Sequence, residues 1–369
     1  MKTRSLIIPV ILLVFFLSLA FSPYLVAAKK NQQEKNEEEE TIIIPEEIRS
    51  ALKQGLAQRQ GRQDIPFSLA KHLFLPAREN IHSIFLFKMK NQDIGFTPLE
   101  LPPIPEKKEG KEKKTETPPE AETEKPPAPL QTSLEVFLQF HRLEKKEPAE
   151  IFKEIYIPLN LQAEGASYDP EKEEIYSTAY PLPPGDYLLA MAVASLDLQR
   201  IGTLYYEFSL PDLTQAFQEL DTTPIFFVKG MKRMASPEIT AEIHKDFFTY
   251  SVLQIEPKTE NVFVKRENLD IFYYIYGAQP KQDGMFDIVV NYEVLKDKEP
   301  VIRFEEISYQ APIISQPLPM KKTVVIKSEK EGEKKETRFL EPGTYTLSIS
   351  IKDNVSGKSS SEKIDIEIK

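Results

Sequence analysis

The sequence predicts an all-β chain: two tandem immunoglobulin/fibronectin-III-like antiparallel β-sandwiches behind a signal peptide and a short N-terminal helix. Three observations predict it. Short apolar runs separated by turn residues recur from Ile65 to Leu210, the pattern of a chain of short strands. Thirty prolines against thirteen glycines, with 10% aromatic residues, suit strands and turns better than a helical bundle. And three short stretches of the first half return in the same order in the second.

The elements follow in chain order. Lys2 and Arg4 precede an apolar run from Leu6 to Phe21, and Val26-Ala27-Ala28 follows before Lys29. A positive start, an apolar stretch and small residues make residues 1–28 a signal peptide; its length leaves an uncleaved membrane anchor as the alternative. Residues 29–63 are a charged tether, KKNQQEKNEEEE at its start, ending in a short helix. Pro45 opens that helix, Glu46 and Glu47 sit in its first turn, and Ile48, Ala51, Leu52 and Leu56 recur at helical spacing.

Domain one is expected over 64–220. Its apolar runs are 66–75, 81–89, 134–143, 151–157, 174–180, 186–195 and 201–210. Residues 101–130 interrupt them with 8 Pro, 7 Glu and 6 Lys, a composition that builds no core and reads as a disordered insertion or solvated spacer. Leu213 to Leu220 is either a short helix or an irregular loop. Domain two follows over 221–369.

The internal repeat carries the tandem reading. Arg78-Glu79-Asn80-Ile81 resembles Arg266-Glu267-Asn268-Leu269. Glu135 to Leu143 matches Asp287 to Leu295, with acid, three apolar residues, amide, aromatic and a final Leu in step. Leu182-Pro183-Pro184-Gly185-Asp186-Tyr187 matches Leu340-Glu341-Pro342-Gly343-Thr344-Tyr345. Asn80 and Gly185 are 105 positions apart, and Asn268 and Gly343 are 75 apart. The excess of 30 is the size of the insertion. Gly185 and Gly343 are expected to supply a tight turn, and Tyr187 and Tyr345 to bury their rings while their hydroxyls bond back to the turn, as in a tyrosine corner. Beyond Tyr345 the alternation to Ile351 gives one buried and one wet face. Asp353 to Gly357 turns the chain into a last strand over Ile364, Ile366 and Ile368.

Composition also limits chemistry. No cysteine excludes disulfides, thiolate metal sites and a cysteine nucleophile. A net charge of −10 argues against nucleic acid as a partner. No Gly-x-Ser-x-Gly, HExxH, Walker, GxGxxG or calcium-loop motif is present, so no catalytic, cofactor-binding or metal residue is assigned. Four histidines are present. His72, His82 and His141 fall in domain one, and His82 with His141 would form a metal pair only if their strands were neighbours. His244 stands alone. Phe272, Tyr274 and Tyr276 line one face of a strand, with Tyr273 on the other. They form either a ligand or partner face or a surface packed against domain one.

Leu220-Asp221-Thr222-Thr223-Pro224-Ile225-Phe226-Phe227-Val228 and the Leu340 to Gly357 segment resemble the C-terminal sandwich region of exported bacterial proteins related to the GWxTD-domain and VWFA-related sets. Neither the GWxTD motif nor a VWFA metal motif is present. The resemblance implies an exported, sandwich-built protein. The expected function is therefore a non-enzymatic interaction or scaffold protein of the bacterial envelope, in the periplasm or at the cell surface, with an envelope protein or polysaccharide as partner, no cofactor and no nucleic acid. The alternative is a carbohydrate- or peptide-binding accessory module that uses the aromatic face.

Overall fold

A computed structural model describes residues 43–99, 127–145, 147–212, 219–328 and 332–369. The signal peptide, the tether through residue 42, residues 101–126 of the insertion and residues 213–218 lie outside the described residues. The described chain is mostly β, in several antiparallel sheets. No helix among the described residues is long and apolar enough to cross a membrane.

One helix, α1 (Glu46–Leu56), starts after Pro45, whose fixed φ and missing N–H suit a helix start. Its Ile48, Ala51 and Leu52 are buried against Phe137, Ala190, Ala192, Ala194 and Ile201. All seven apolar runs of the first half are strands: β1 (Phe67–Ala77), β2 (Asn80–Lys90), β3 (Leu130–Glu144), β4 (Glu147–Ala163), β5 (Glu173–Leu182), β6 (Gly185–Ser195) and β7 (Ile201–Leu210). They form one sheet of order β1-β2-β5 and a second of order β4-β3-β6-β7. The two pack face to face around Phe85, Phe87, Leu138, Phe140, Tyr187, Leu189 and Phe208. Leu130 opens β3, so the last residue of the expected insertion is already strand.

The second half is also built on two packed sheets, with more strands. Its main strands are β8 (Phe226–Arg233), β9 (Leu253–Pro257), β10 (Asn268–Tyr276), β11 (Ile288–Lys296), β12 (Ile313–Pro319), a hairpin β13 (Lys321–Ser328) and β14 (Gly332–Phe339), β15 (Gly343–Asp353) and β16 (Ser359–Ile368). One sheet runs β9-β8-β10-β12. The other runs β16-β15-β11, with Glu299–Arg303 on its β11 edge. Between them lie Leu269, Ile271, Tyr273, Val290, Tyr292, Tyr345, Leu347 and Ile349. In each half the strand after the Arg-Glu-Asn stretch, β2 or β10, lies in one sheet and the strand after the glycine corner, β6 or β15, in the other.

Register corrects one part of the repeat. Val136 lies opposite Val193 and Val290 opposite Ile351, each six positions past its corner tyrosine. Val136 therefore corresponds to Val290 and not, as the sequence match suggests, to Ile288. A slip of two keeps every side chain on its own face, which is why the motif looked right while its register was wrong. The other two matches keep their alignment. Arg78 and Arg266 both take positive φ, at 54° and 81°, just before the strands that Asn80 and Asn268 open. Gly185 and Gly343 share a φ of 149°, in the region that favours glycine.

At these glycines the corners close alike. The Tyr187 hydroxyl donates to the Pro183 carbonyl at 2.9 Å, and the Tyr345 hydroxyl to the Glu341 carbonyl at 2.8 Å. The turn into β16 is held by Asp353, which is fully buried and accepts from the backbone N–H groups of Gln279, Val355 and Ser356. Burial pushes its carboxyl up, but those bonds and the Ser356 hydroxyl outweigh it and hold it below the usual range.

Candidate functional site

The two halves meet along matching faces. In a strand, alternate residues face opposite sides, so the residues of β2 and β10 that do not enter their own cores point outward. From the first half these are Ile84 and Leu86, joined by Leu73 and Leu75 of β1. From the second they are Phe272 and Tyr274, joined by Phe226 and Val228 of β8 and by Phe248 and Ile255. Together they make a third apolar core between the halves.

This places the residues singled out in the sequence. Phe272 is 1% exposed and packs on Phe226, which in turn meets Phe248 edge-on, so it offers no open ring. Tyr274 is half-buried against the same core. Tyr276 donates its hydroxyl to the Asp221 carboxylate at 3.0 Å. Tyr274 and Tyr276 line a cleft of about 270 Å³ with Pro76, Pro184, Pro280 and Phe286. The three aromatics are therefore one interface ring and two cleft rings, not a single exposed face. The reason is the outward apolar face of the first half, which covers the centre of the strand.

His82 and His141 do not meet. Their strands β2 and β3 belong to opposite sheets. The His82 Nε2–H donates to the Thr249 carbonyl at 2.9 Å across the interface, whereas His141 neighbours Arg59 and Glu154 on the side of α1, its Nε2 buried without a partner. His72 lies inside the first core. It stacks on Phe85 at 4.8 Å and shares a hydrogen bond with the Ser83 hydroxyl at 2.7 Å, and burial lowers its pKa to about 4.

A second cleft, of about 360 Å³, flanks the interface on another side. His82, Ser177 and Tyr180 line it from the first half, and Glu238, Glu242, His244 and Thr249 from the second. The segment Glu238-Ile239-Thr240-Ala241-Glu242-Ile243-His244 alternates polar and apolar. Ala241 and Ile243 pack against the first half's core, and Glu242 and His244 line the cleft. His244–Lys245 then pairs with Tyr176 and Ser177 on the free edge of β5. Lys245 reaches Glu174 at 3.1 Å, and the Ser177 hydroxyl donates to the Phe247 carbonyl at 2.5 Å. The second half thus adds a short strand to the first.

Ligand atoms of Glu238, Glu242 and His244 all lie within 4.8 Å of one another. His244 Nε2 is 2.9 Å from Glu238 Oε2, and the Thr249 hydroxyl donates to that same oxygen at 2.6 Å. Burial holds His82 below its ordinary pKa, partly offset by its bond to Thr249 and the charge of Glu238. Sequence reading left His244 alone because the partners are side chains at i−2 and i−6. The signal was the period-two alternation, which falls in a stretch that is irregular up to Ile243.

The chain matches no protein-family model and no curated protein.

Proposed function

We propose that the chain is an exported, non-enzymatic interaction or scaffold protein of the bacterial envelope, made of two fibronectin-III-like sandwiches, 64–220 and 221–369. Two sheets packed face to face in each half support the fold name, with a tyrosine corner at the start of the strand after the glycine turn in both. The observation that carries the function is the apolar core between the halves. Tandem modules of this kind usually meet through small, polar contacts and move. Here Leu73, Leu75, Ile84 and Leu86 bury against Phe226, Phe248, Ile255 and Phe272, and a strand of one half pairs with the other. Such a contact fixes one half relative to the other, as a scaffold requires. The export reading rests on residues 1–28.

The test is fractionation of the epitope-tagged chain in its native host, with the N terminus sequenced. The expected product begins near Lys29 and sits in the periplasmic or surface fraction. A chain that keeps Met1 and stays in the cytosol overturns the export reading.

The cleft of Tyr274 and Tyr276 favours the second reading, a carbohydrate- or peptide-binding module. Two tyrosine rings beside three prolines and Phe286 give a stacking surface with two hydroxyl tips. Envelope polysaccharide and proline-rich peptide are the probes. Binding that is lost in Tyr276→Ala supports this reading, and no binding of either probe removes it.

A further inference from the structure

We propose that Glu238, Glu242 and His244 form a binding site for a divalent transition-metal ion of the zinc class at the junction of the two halves. Two carboxylates and one imidazole converge on one point, their ligand atoms within 4.8 Å of each other. That is a mixed nitrogen and oxygen donor set, which suits zinc and its neighbours; calcium and magnesium prefer oxygens alone. Three protein ligands leave a fourth position, and it opens into the cleft of about 360 Å³.

The surroundings supply what such a site requires. A ligand needs an outer partner to fix its orientation. Glu238 has one in the Thr249 hydroxyl, at 2.6 Å, and Thr249 is itself held by His82 through its carbonyl at 2.9 Å. Thr249 is buried, so this outer support comes from the packed interface and not from the loop. The charge balance also asks for a cation. Among the described residues, His244 is the basic side chain within salt-bridge distance of Glu238, and Glu242 has none. Two carboxylates are thus gathered around one imidazole by the packing of Ala241 and Ile243 beneath them.

For the Glu238–His244 pair only a small adjustment is needed, and Glu242 closes from within 4.8 Å. A tetrahedral zinc ion with ligands at ~2.0–2.1 Å separates its donors by ~3.3 Å. Glu238 Oε2 and His244 Nε2 stand 2.9 Å apart as a hydrogen-bonded pair. The ion would replace the proton between them and push them apart by a few tenths of an ångström. His244 sits on the short strand that pairs with β5 and the two glutamates on the segment that leads into it, so the ion would tie that segment to the added strand.

The experiment is titration of the full chain, freed of metal by chelator, with Zn²⁺ followed by calorimetry. The expected result is one saturable site, weakened at least ~10-fold in His244→Ala and in Glu242→Gln, with Thr249→Ala weaker than the parent and His141→Ala unchanged. Hydrogen exchange is the second measurement, because it does not depend on the variants. Zn²⁺ should slow exchange over residues 238–249 and leave β11 unaffected. No saturable binding, equal affinity in His244→Ala, or protection that appears elsewhere would each overturn the site.

Discussion

The two halves share a framework and differ in what fills it. Phe85 and Leu138 in the first core occupy the positions of Tyr273 and Tyr292 in the second, counted from Asn80 and Asn268 and from Val136 and Val290. In the first, Phe85 stacks on His72, meets Phe208 edge-on at 5.3 Å and packs on Phe140. In the second, the Tyr273 hydroxyl donates to Tyr292 at 2.9 Å, Tyr292 to Tyr309 at 3.2 Å, and Tyr309 to the Gln316 side-chain oxygen at 2.8 Å. Burial pushes all three hydroxyls up in pKa, so they remain protonated donors. The same backbone therefore accepts either ring stacking around a neutral histidine or a buried chain of hydroxyls. What the frame demands is large side chains at these core positions; how their polar atoms are satisfied is a local choice.

The largest expected difference between the halves is in their response to acid. His72 is neutral in the folded chain, with a pKa of about 4 against 6.5 for the free side chain. Between those values the unfolded chain binds more protons. The stability is fully present above pH 6.5 and falls as the pH drops toward 4, by about 3 kcal/mol for a shift of this size. His82 and His141 are lowered by burial as well and act in the same direction on the same half. Hydrogen exchange read strand by strand should show β1 to β7 losing protection first across this range. His72→Phe should flatten the loss. Equal loss in β8 to β16 would break the comparison.

Next in size is the polar content of the second core. Tyr292→Phe leaves the fully buried Tyr273 hydroxyl without an acceptor and the half-buried Tyr309 hydroxyl without its donor. A cost of about 2 kcal/mol is expected in urea unfolding. The reciprocal change, Phe85→Tyr, adds a hydroxyl among aromatic rings where the His72 Nε2 is already engaged by Ser83. It should destabilise the first half by about 2 kcal/mol, since a buried hydroxyl without a partner carries its desolvation cost unrelieved. A neutral Phe85→Tyr would show that this core has room for water.

How much of this was legible depends on whether the signal was local. The strands of the first half, α1 and both glycine–tyrosine corners are written in runs of a few residues. The turn at Asp353 is likewise announced by its Asp-Asn-Val-Ser-Gly composition. The two-residue register error between β3 and β11 survived because a shift of two preserves the inside–outside pattern. The hairpin of β13 and β14 has no counterpart in the first half, so the repeat could not point to it. The clefts were invisible for a different reason. Tyr276 meets Asp221, and His82 meets Thr249, across 55 and 167 positions. No pattern in the neighbouring sequence records which outward face will find a partner. Phe272 illustrates this: its alternation gives its side of the strand, and only the other half decides whether that side is wet.

The smallest expected effects lie at the corners, where the halves should behave alike. Tyr187→Phe and Tyr345→Phe each remove one hydroxyl-to-carbonyl bond at the same i−4 spacing. Each should cost about 1 kcal/mol in the denaturation midpoint. A cation also lies over each ring: the Arg142 guanidinium 5.5 Å from the Tyr187 centroid and the Lys296 ammonium 5.4 Å from that of Tyr345. Arg142 additionally covers Phe152 at 5.1 Å, whereas Lys296 covers its tyrosine alone. Arginine shared between two rings should matter more than lysine over one, so Arg142→Ala is expected to cost about 1 kcal/mol and Lys296→Ala about 0.5. Equal corner losses with unequal cation losses would show that the repeat fixes the hydrogen bond and leaves the cation to each half. If Lys296→Ala costs as much as Tyr345→Phe, the cation belongs to the corner itself.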